Sequence, residues 1–520
     1  MKFKFYAAVV FVAVISACAT TGFCARILGF FPSMSKSHLI VHMSLVRPLV
    51  QRGHDVTVVT TLPLNEPNPG YRHIKLAPTE VPQEMLKGMM ASPQTSFQMS
   101  QMFRFIKFIL QASDQVLRDS QMQKLMKEES FDLVIFGYFI NNFQMGIAAH
   151  FKCPIVVSWM SQSMGFTDEM IGNPMDLAYV PHFMLGTTQP MDFWGRLQNI
   201  FGGAFDFITG HLLRYFMEQY YVSHFPPEKY PSYDEVMRNV SLVLANHHFT
   251  EGPIRPNVPA LIQIGGIQAK ENPDPLPQDI KKFLDSATEG VVYFSFGSNV
   301  QMALMKPETI ETFYKILSSL KQKVLWKWET DNVPGNASNI LYKKWFPQDD
   351  VLAHPNVKLF ITHGGKGGLA EAQFRGVPMV AFPVFGDQLR NVKVMEAEGF
   401  GLTMDLGNVT EEAFGHSVHE VLFNSKYRDN VKKFSQLYRD RPLTAKDEAV
   451  FWIEYVIRHR GAKHLQSPYV HMKFWQRWNL DVLGLLFAIV YVTFKILACS
   501  IKFVFRKICK RKGESKDKKE

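Results

Sequence analysis

An alternation of short apolar runs with longer amphipathic runs most constrains the fold of this chain. Apolar runs at Arg26–Phe31 and Asp55–Thr60 flank His38–Arg52, whose apolar residues recur at helical spacing. Strands that alternate with helices predict a parallel sheet with helical crossovers. The further predicted strands are Phe131–Phe136, Pro154–Ser158, Gly290–Phe296, Val324–Trp328 and Lys358–Thr362, and the further predicted helices are Phe143–Phe151 and Pro307–Leu320.

A proline-rich break, Glu271–Pro277, divides the alternation into two series. We therefore predict an N-terminal domain over residues 26–270, a linker over 271–285 and a C-terminal domain over 286–465, with a cleft between the domains. Residues 160–235 are aromatic without a regular pattern, so we expect irregular structure there. Ligands of open parallel sheets bind beyond the carboxyl ends of the strands, which directs the search to the loops that follow them.

Two apolar segments outside these series predict a membrane-bound protein. Residues 1–25 place Lys2 and Lys4 before a short apolar run, the pattern of a secretory signal. Residues 466–481 then lead to Val482–Ile501, which is long enough to cross a bilayer, and the positive-inside rule puts the basic tail, 502–520, in the cytosol. The alternatives are a retained N-terminal anchor and a buried amphipathic helix.

Smaller signals favour the endoplasmic reticulum as the location. The tail ends in Lys-Asp-Lys-Lys-Glu, which resembles a lysine-based retrieval signal, although an ordinary solvated tail has the same composition. Glycosylation sequons at Asn239, Asn336 and Asn408 agree with a lumenal body. Cys153 is the one cysteine expected in that body, so we expect no disulfide framework. The prediction is a single-pass type I protein of the endoplasmic reticulum membrane with both α/β domains in the lumen.

The net charge of +10 does not predict a nucleic-acid partner. Most of the excess positive charge lies in the basic tail, and nearly all of the remainder lies at Lys2, Lys4 and Lys495, so the body of the chain is close to neutral. A basic face that follows a phosphate backbone is therefore not expected.

The loop after the predicted strand Lys358–Thr362 is the most informative one. It reads Thr-His-Gly-Gly-Lys-Gly-Gly over residues 362–368 and leads into a helix. Glycines let the backbone approach a ligand closely, and the free amides at a helix start favour a phosphate. The loop also fits the loose dinucleotide fingerprint, with Asp387 as its acid. We set a nicotinamide cofactor aside because the loop lies far from the chain start and Pro383 separates Asp387 from its strand.

Flanking residues extend the loop into a pattern of 44 residues, from Trp345 to Gln388. It begins Trp-Phe-Pro-Gln and ends Pro-Val-Phe-Gly-Asp-Gln. This segment resembles the donor-binding signature of the UDP-glycosyltransferases, glycosyltransferase family 1. Residues 30–53, 294–298, 439–442 and 452–465 are similar to the family as well, and details are closest to its insect membrane-bound branch. The resemblance implies an α/β protein of the GT-B fold, with two facing Rossmann-like domains plus one C-terminal transmembrane helix.

The resemblance also implies roles for the residues of the pattern. Trp345 would stack on uracil, Gln348 would hydrogen-bond beside it, and Glu371 would accept from ribose hydroxyls. The diphosphate would be held by Ser298, His363 and the amides of Gly365, Gly367 and Gly368, and the sugar hydroxyls by Asp387 and Gln388. Taken singly, each has a plainer interpretation as a core, helix-surface or turn residue, and only their joint spacing favours a site.

His38 is the predicted catalytic base. It follows the loop after the first strand and opens a helix, whose positive end disfavours an imidazolium, so that a neutral ring can take a proton from a hydroxyl. The alternative is a capping or packed histidine, and His42 is a weaker candidate. Relatives pair this base with an acid, but the corresponding positions read Gly137 and Asn142. Asn142 can orient the ring but supplies no charge. Gly367 also departs from the pattern, since many relatives carry Asn there.

Together these features imply inverting transfer of a hexosyl group from a UDP-sugar to a hydroxyl of a lipophilic small molecule, as in detoxification. Insect-like details favour glucose over glucuronate as the sugar. The alternative function is a catalytically weak or inactive binding subunit, which Gly137 and Asn142 motivate.

The expected partners are the UDP-sugar, the acceptor and the membrane, and the family also leaves room for a homo- or hetero-oligomer. The UDP-sugar is a co-substrate, and no cofactor or metal is expected, because the chain has no Asp-x-Asp motif. The acceptor pocket is expected in the N-terminal domain, where residues 85–126 carry seven methionines. An ordinary helical core or a bilayer contact explains those methionines equally well.

Overall fold

The computed structural model describes residues 24–64, 69–78, 81, 82, 84, 85, 88, 99–183, 185 and 187–516, without the side chains of 99–102 and 508–516. The predicted signal peptide lies almost wholly outside the described residues, as do the last four residues of the tail. The chain divides into two units, of which the first ends at Gln466.

The first sheet has seven parallel strands in the order β3-β2-β1-β4-β5-β6-β7. Most of its strands are buried on both faces, as expected where helices cover both sides of a parallel sheet. Its strands are β1 (Arg26–Phe31), β2 (Asp55–Thr60), β3 (Arg72–Lys75), β4 (Leu133–Gly137), β5 (Ile155–Trp159), β6 (Val240–Ala245) and β7 (Leu261–Gln263).

The second sheet has six parallel strands in the order β10-β9-β8-β11-β12-β13. It repeats the plan of the first sheet, in which the strand order reverses beside the first strand. Its strands are β8 (Val291–Ser295), β9 (Lys323–Lys327), β10 (Ile340–Lys343), β11 (Val357–Thr362), β12 (Met379–Ala381) and β13 (Gly401–Thr403). The predicted alternation of strands and helices is thus confirmed in both halves.

Helices connect and cover the strands. Those of the first half are α1 (Lys36–Gln51), α2 (Met99–Arg118), α3 (Ser120–Glu128), α4 (Gly146–Phe151), α5 (Gly165–Ile171), α6 (Phe193–His224) and α7 (Tyr233–Arg238). The remaining ones are α8 (Gln278–Asp285), α9 (Pro307–Ser318), α10 (Gln348–Leu352), α11 (Lys366–Arg375), α12 (Gln388–Ala397), α13 (Glu411–Phe423), α14 (Ser425–Arg439), α15 (Ala445–Arg458), α16 (Phe474–Arg477) and α17 (Leu480–Lys516). Short 3-10 turns occur at Asn142–Met145, Met302–Leu304, Leu406–Asn408, Lys463–Leu465 and Pro468–His471.

The expectation of irregular structure over residues 160–235 is wrong, because α6 alone spans 32 residues there. Its apolar side chains occur nearly all round the helix, so the sequence shows no single apolar face. Only four of its residues are buried, namely Asn199, Gly202, Met217 and Tyr221. The helix therefore exposes large apolar side chains such as Trp194 and Phe201.

Two helices pack against a different part of the molecule from the one that the predicted domain boundaries imply. α8 falls inside the predicted linker, yet its Ile280 and Leu284 are buried in the core of the second sheet. α15 falls inside the predicted C-terminal domain, yet its apolar face, including Ile453, belongs to the core of the first sheet. The chain therefore crosses back to the first sheet after α14, a return that local sequence patterns do not encode.

The C-terminal helix α17 contains the predicted membrane span. Within the described residues, Leu480–Lys507 is the one helical stretch long and apolar enough to cross a membrane. The predicted segment Val482–Ile501 lies inside it, and the helix continues into the basic tail.

Candidate active site

Both sheets offer a crevice at the point where their strand order reverses, between β1 and β4 and between β8 and β11. Open parallel sheets bind ligands at such points. The loop after β1 leads to His38, and the loop after β11 begins with His363. A cavity of about 2060 Å³ is lined by residues of both halves.

The cavity brings together the predicted base and every predicted donor-site residue. Its lining includes His38, Ser298, Trp345, Gln348, His363, Gly365, Gly367, Gly368, Glu371, Asp387 and Gln388. Eleven positions spread over 350 residues of sequence thus meet in one space. We call the side contributed by the first sheet and its helices the first wall, and the side contributed by the second sheet the second wall.

Trp345 and its neighbours form one end of the second wall. The Trp345 side chain is 47% exposed, which leaves ring surface free for a flat ligand. Gln348 Nε2 donates to Glu371 Oε2 at 2.7 Å, and its Oε1 accepts from the Tyr293 hydroxyl at 3.2 Å. Burial, with Asp349 nearby, raises the pKa of Glu371 to about 8. A carboxyl group that holds its proton at neutral pH both donates and accepts, which suits a pair of neighbouring hydroxyls.

The His363 ring lies against two glycines that open the binding loops. A Cβ on Gly297, which has a φ of +72°, would lie 2.7 Å from the ring, and one on Gly365 would lie 2.4 Å from Nε2. Both positions therefore require glycine. Within the described residues Nδ1 has no hydrogen-bond partner, and burial together with Lys327 lowers the pKa of His363 to about 4. The ring is thus neutral and can donate one hydrogen bond to an oxygen of a ligand.

Asp387 and Gln388 mark the other end of the second wall. Asp387 Oδ2 accepts from Asn391 Nδ2 at 2.7 Å, and burial raises the pKa of this carboxyl. Gln388 Oε1 accepts from the backbone amides of Val384 and Phe385, at 2.7 and 3.0 Å. The Gln388 carbonyl is therefore engaged by the loop, and its amide remains available to a ligand.

His38 lies in the first turn of α1, as predicted, and is half-buried. Its ring meets the edge of Phe139, with the ring centres 5.1 Å apart. Among the described residues no carboxylate contacts the ring. Burial lowers the pKa of His38 to about 4, so the imidazole is neutral and able to accept a proton.

The structure does not bring Asn142 into the cavity, contrary to the expectation that it orients His38. Asn141 lies in the turn that follows β4, where its Oδ1 accepts from the Phe139 amide at 2.8 Å. Asn142 then begins a 3-10 turn packed against α6 and α7, and its Nδ2 lies 3.8 Å from Met237 Sδ. The turn thus carries this side chain away from the base.

The other position of a missing acid, Gly137, is closed by His42. A Cβ on Gly137 would lie 2.9 Å from His42 Nε2 and 3.1 Å from the Phe31 ring. His42 is fully packed, with its Nδ1 2.9 Å from Ser158 Oγ and its ring stacked on Phe31 at 4.8 Å. Its pKa falls to about 3 through burial and the neighbouring His38. Glycine at position 137 and histidine at position 42 therefore fit each other.

Sequence reasoning gave no role to the cations that line the cavity, among which are Lys36, Lys327, Lys366 and Arg390. Lys36 lies over the Trp345 ring at 5.2 Å, Lys327 pairs with Glu329 at 2.8 Å, and Lys366 pairs with Glu251 at 2.5 Å. Lys327 ends the observed strand β9 and is the next-to-last residue of the predicted strand, a position that could have drawn attention to it, and Arg390 lies three residues after Asp387.

The first wall is mainly apolar. In the predicted acceptor segment, residues 85–126, the described lining residues are Phe103, Phe105, Ile106, Lys107 and Leu110. Met122 and Met126 of the same segment pack into the core instead. Asn239, Asn336 and Asn408, the predicted glycosylation sites, are all exposed, and their modification stays a prediction.

This site and fold define a nucleotide-sugar-dependent transferase, and comparison with known proteins gives the family. The sequence profile described as "UDP-glucoronosyl and UDP-glucosyl transferase" matches residues 27–515. The chain belongs to this family of UDP-glycosyltransferases, as the sequence resemblance predicted. It is therefore a glycosyltransferase that uses a UDP-sugar, and a hexosyltransferase.

Individual relatives are similar over most of their length. UDP-glucosyltransferase 2 of Dactylopius coccus is 35% identical over 503 residues, which cover 94% of this chain and 93% of that protein. Human UDP-glucuronosyltransferase 1A9 is 33% identical over 411 residues, covering 77% and 75%. The names of these relatives include both sugars, so membership of the family leaves the donor sugar open.

Solved structures confirm the GT-B fold. Phytolacca americana UGT2, complexed with UDP-2fluoro-glucose and pterostilbene, matches with a TM-score of 0.53 and 17% identity over 84% of this chain and 99% of that one. A Polygonum tinctorium UDP-glucosyltransferase matches with a TM-score of 0.56 and 14% identity over 85% and 99%.

Proposed function

We propose that this protein transfers a hexosyl group, glucose in the first instance, from a UDP-sugar to a hydroxyl of a lipophilic small molecule with inversion at C1. The observation that carries the proposal is the shared cavity, in which His38 on the first wall faces the donor-pattern residues of the second. The apolar side chains of the first wall suit a lipophilic acceptor, and the position of the cavity at both strand-order reversals suits a two-substrate reaction.

The chemistry follows from the neutral imidazole. His38 takes the proton of the acceptor hydroxyl as the oxygen attacks C1 of the sugar, and the bond from C1 to the diphosphate breaks, so that UDP leaves as an anion. His363, Ser298 and the amides of the glycine loop would stabilise the charge that develops on the diphosphate. One displacement inverts the anomeric centre, and no enzyme nucleophile is required.

We also propose the cellular setting predicted from the sequence. α17 would anchor a type I protein in the endoplasmic reticulum membrane, with the cavity in the lumen. A lipophilic acceptor dissolved in that membrane would then lie close to the enzyme, as conjugation for detoxification requires.

A second candidate function is a binding subunit without useful catalysis. It is favoured by the position of Asn142 outside the cavity and by the lack of a carboxylate beside His38 among the described residues.

The experiment that separates the candidates uses membranes from cells that express the full chain. They are supplied with UDP-glucose or UDP-glucuronate and a panel of phenols and steroids, and the product is isolated for NMR. A β-linked product from the α-linked donor supports the first candidate. UDP binding without transfer to any acceptor supports the second, and an α-linked product contradicts the inverting mechanism.

A further inference from the structure

Among the described residues the guanidinium of Arg390 forms no ion pair, and Asp387 and Glu251 attract it only from beyond ion-pair distance, in a place where burial makes a charge costly. Arg390 is 9% exposed and lies on α12, three residues after Asp387, where it lines the cavity. Within the part of the chain that the structure describes, no oxygen accepts a hydrogen bond from it and no carboxylate forms an ion pair with it. Its one described partner is the Phe183 ring, 5.4 Å away.

The nearest carboxylates are engaged elsewhere. Asp387 accepts from Asn391, whereas Glu251 pairs with Lys366 at 2.5 Å and accepts from the His248 amide at 2.8 Å. Burial lowers the pKa of Arg390 to about 10, so the guanidinium remains charged at neutral pH. A buried cation that no carboxylate contacts directly is destabilising. An anion that arrives with a ligand would remove this cost.

We propose that Arg390 binds a carboxylate of a substrate in the cleft. The carboxylate belongs either to C6 of a uronic-acid donor or to an acidic acceptor. A guanidinium presents two parallel N–H groups that match the two oxygens of a carboxylate, and the Phe183 ring fixes its orientation. This inference rests on the proposed function, and it extends that function by naming a substrate class.

The place of Arg390 favours a carboxylate over the diphosphate. Arg390 shares α12 with Asp387 and Gln388, the residues that would hold the sugar hydroxyls. The diphosphate would lie beside His363 and Ser298, on other elements of the second wall, where Lys327 supplies a cation. Arg390 Nη2 also lies 3.7 Å from the position that a Cβ on Gly252 would take, so it reaches toward the first half of the chain.

The test compares Arg390→Gln and Arg390→Lys with the native chain in expressing membranes. Lys393→Gln is the matched control, because it removes a positive charge from the exposed side of the same helix. Each protein is assayed with UDP-glucose and UDP-glucuronate, using a neutral naphthol and the corresponding hydroxynaphthoic acid as acceptors. Binding of UDP, UDP-glucose and UDP-glucuronate is measured separately by equilibrium dialysis on the detergent-solubilised protein.

If the donor carries the carboxylate, Arg390→Gln lowers kcat/KM and affinity for UDP-glucuronate by about tenfold to a hundredfold and leaves UDP-glucose unchanged. If the acceptor carries it, kcat/KM for the hydroxynaphthoic acid falls by a similar factor with either donor, and the naphthol is unaffected. Arg390→Lys should lose most of the preference for the carboxylate-bearing substrate, because lysine keeps the positive charge but lacks the two parallel N–H groups of the guanidinium. Lys393→Gln should behave as the native chain.

Two outcomes overturn the inference. One is equal behaviour of Arg390→Gln and the native chain in all four substrate combinations and in dialysis. The other is an equal loss of affinity for UDP and both UDP-sugars, which would assign Arg390 to the diphosphate or to the fold. If the native chain transfers no sugar but shows Arg390-dependent preference for UDP-glucuronate in dialysis, the proposed function fails while the carboxylate site stands.

Discussion

The two walls of the cavity are held in place by different forces. On the second wall, Gln348 bridges Tyr293 and Glu371, and the backbone of the loop at Val384 fixes Gln388. On the first wall, His38 meets the edge of a phenylalanine ring, and apolar side chains surround it. A hydrogen-bonded wall suits one fixed ligand, the nucleotide, whereas an apolar wall can adapt to several acceptors. Substitutions on each wall test this contrast.

Replacing the base should have the largest effect. His38 is the one imidazole of the first wall that lines the cavity among the described residues, and His38→Ala removes it. General-base catalysis contributes about 10²–10⁴-fold to a rate. We expect kcat to fall by about that factor while UDP binding, a property of the second wall, is retained. Initial rates with a saturating phenol test the first part and dialysis with UDP tests the second. Transfer that stays within tenfold of native would remove His38 from the mechanism, and a parallel loss of UDP binding would show that the walls are not independent.

Substitution of Trp345, in contrast, is expected to weaken UDP binding. Stacking of an aromatic side chain on a base is worth about 1–3 kcal/mol by alanine substitution, so Trp345→Ala should raise the Kd for UDP by about 5–150-fold. Trp345→Phe should recover part of the affinity, and the exposed Trp194 on α6 supplies a matched control, Trp194→Ala. Equal affinities of all four proteins for UDP would place the uracil elsewhere.

The contrast also explains what the sequence could predict. Most of the second wall lies within one continuous stretch around a Gly-rich loop, so strand-end reasoning and a family pattern identify that part residue by residue, and a second family segment adds Ser298. The first wall is assembled from α1, α2, α6 and the loop after β4, which are far apart in the chain. Three features depend on tertiary packing, so no local sequence pattern predicts them. They are the helix α6, the return of α15 to the core of the first sheet and the packing of His42 against Gly137.

The close packing of His42 against Gly137 gives a prediction about placing the missing acid at position 137. Gly137→Asp would drive its Cβ into His42 and Phe31, and overpacking of a core costs about 1–3 kcal/mol of the free energy of unfolding. We expect a lower Tm and no gain in rate. Gly210→Asp is the control, since a Cβ there meets open space. The double variant Gly137→Asp/His42→Ala should recover part of the lost stability. If the single variant keeps the native Tm and transfers the sugar faster, the conclusion that His42 leaves no space for a side chain at position 137 is wrong.

The buried base should also shift the pH profile of transfer. Only neutral His38 accepts a proton, and its pKa of about 4 keeps it neutral well below pH 6. With a weakly acidic alcohol as acceptor and saturating donor, kcat/KM for the acceptor should change less than about twofold between pH 7.5 and 5.5, whereas an ordinary histidine with a pKa near 6.5 would lose about tenfold. The acidic limb should appear only as the pH approaches 4. A tenfold loss at pH 5.5, with stability unchanged, would mean that the base is solvated or paired with an acid.

The smallest effect is expected at Asn142, where the structure and the family pattern disagree most directly. If an acid at this position served His38, Asn142→Asp would restore charge to the base and raise the rate. Since the side chain faces Met237 and does not line the cavity, we expect rates within about twofold of native for Asn142→Asp and Asn142→Ala, as for substitutions away from a site. The measurement is kcat at saturating donor and acceptor, with Tm as the check on folding. A clear gain for aspartate with none for alanine would mean that the turn after β4 moves toward the base during catalysis, and that the first wall, like the second, fixes its catalytic group through a polar contact.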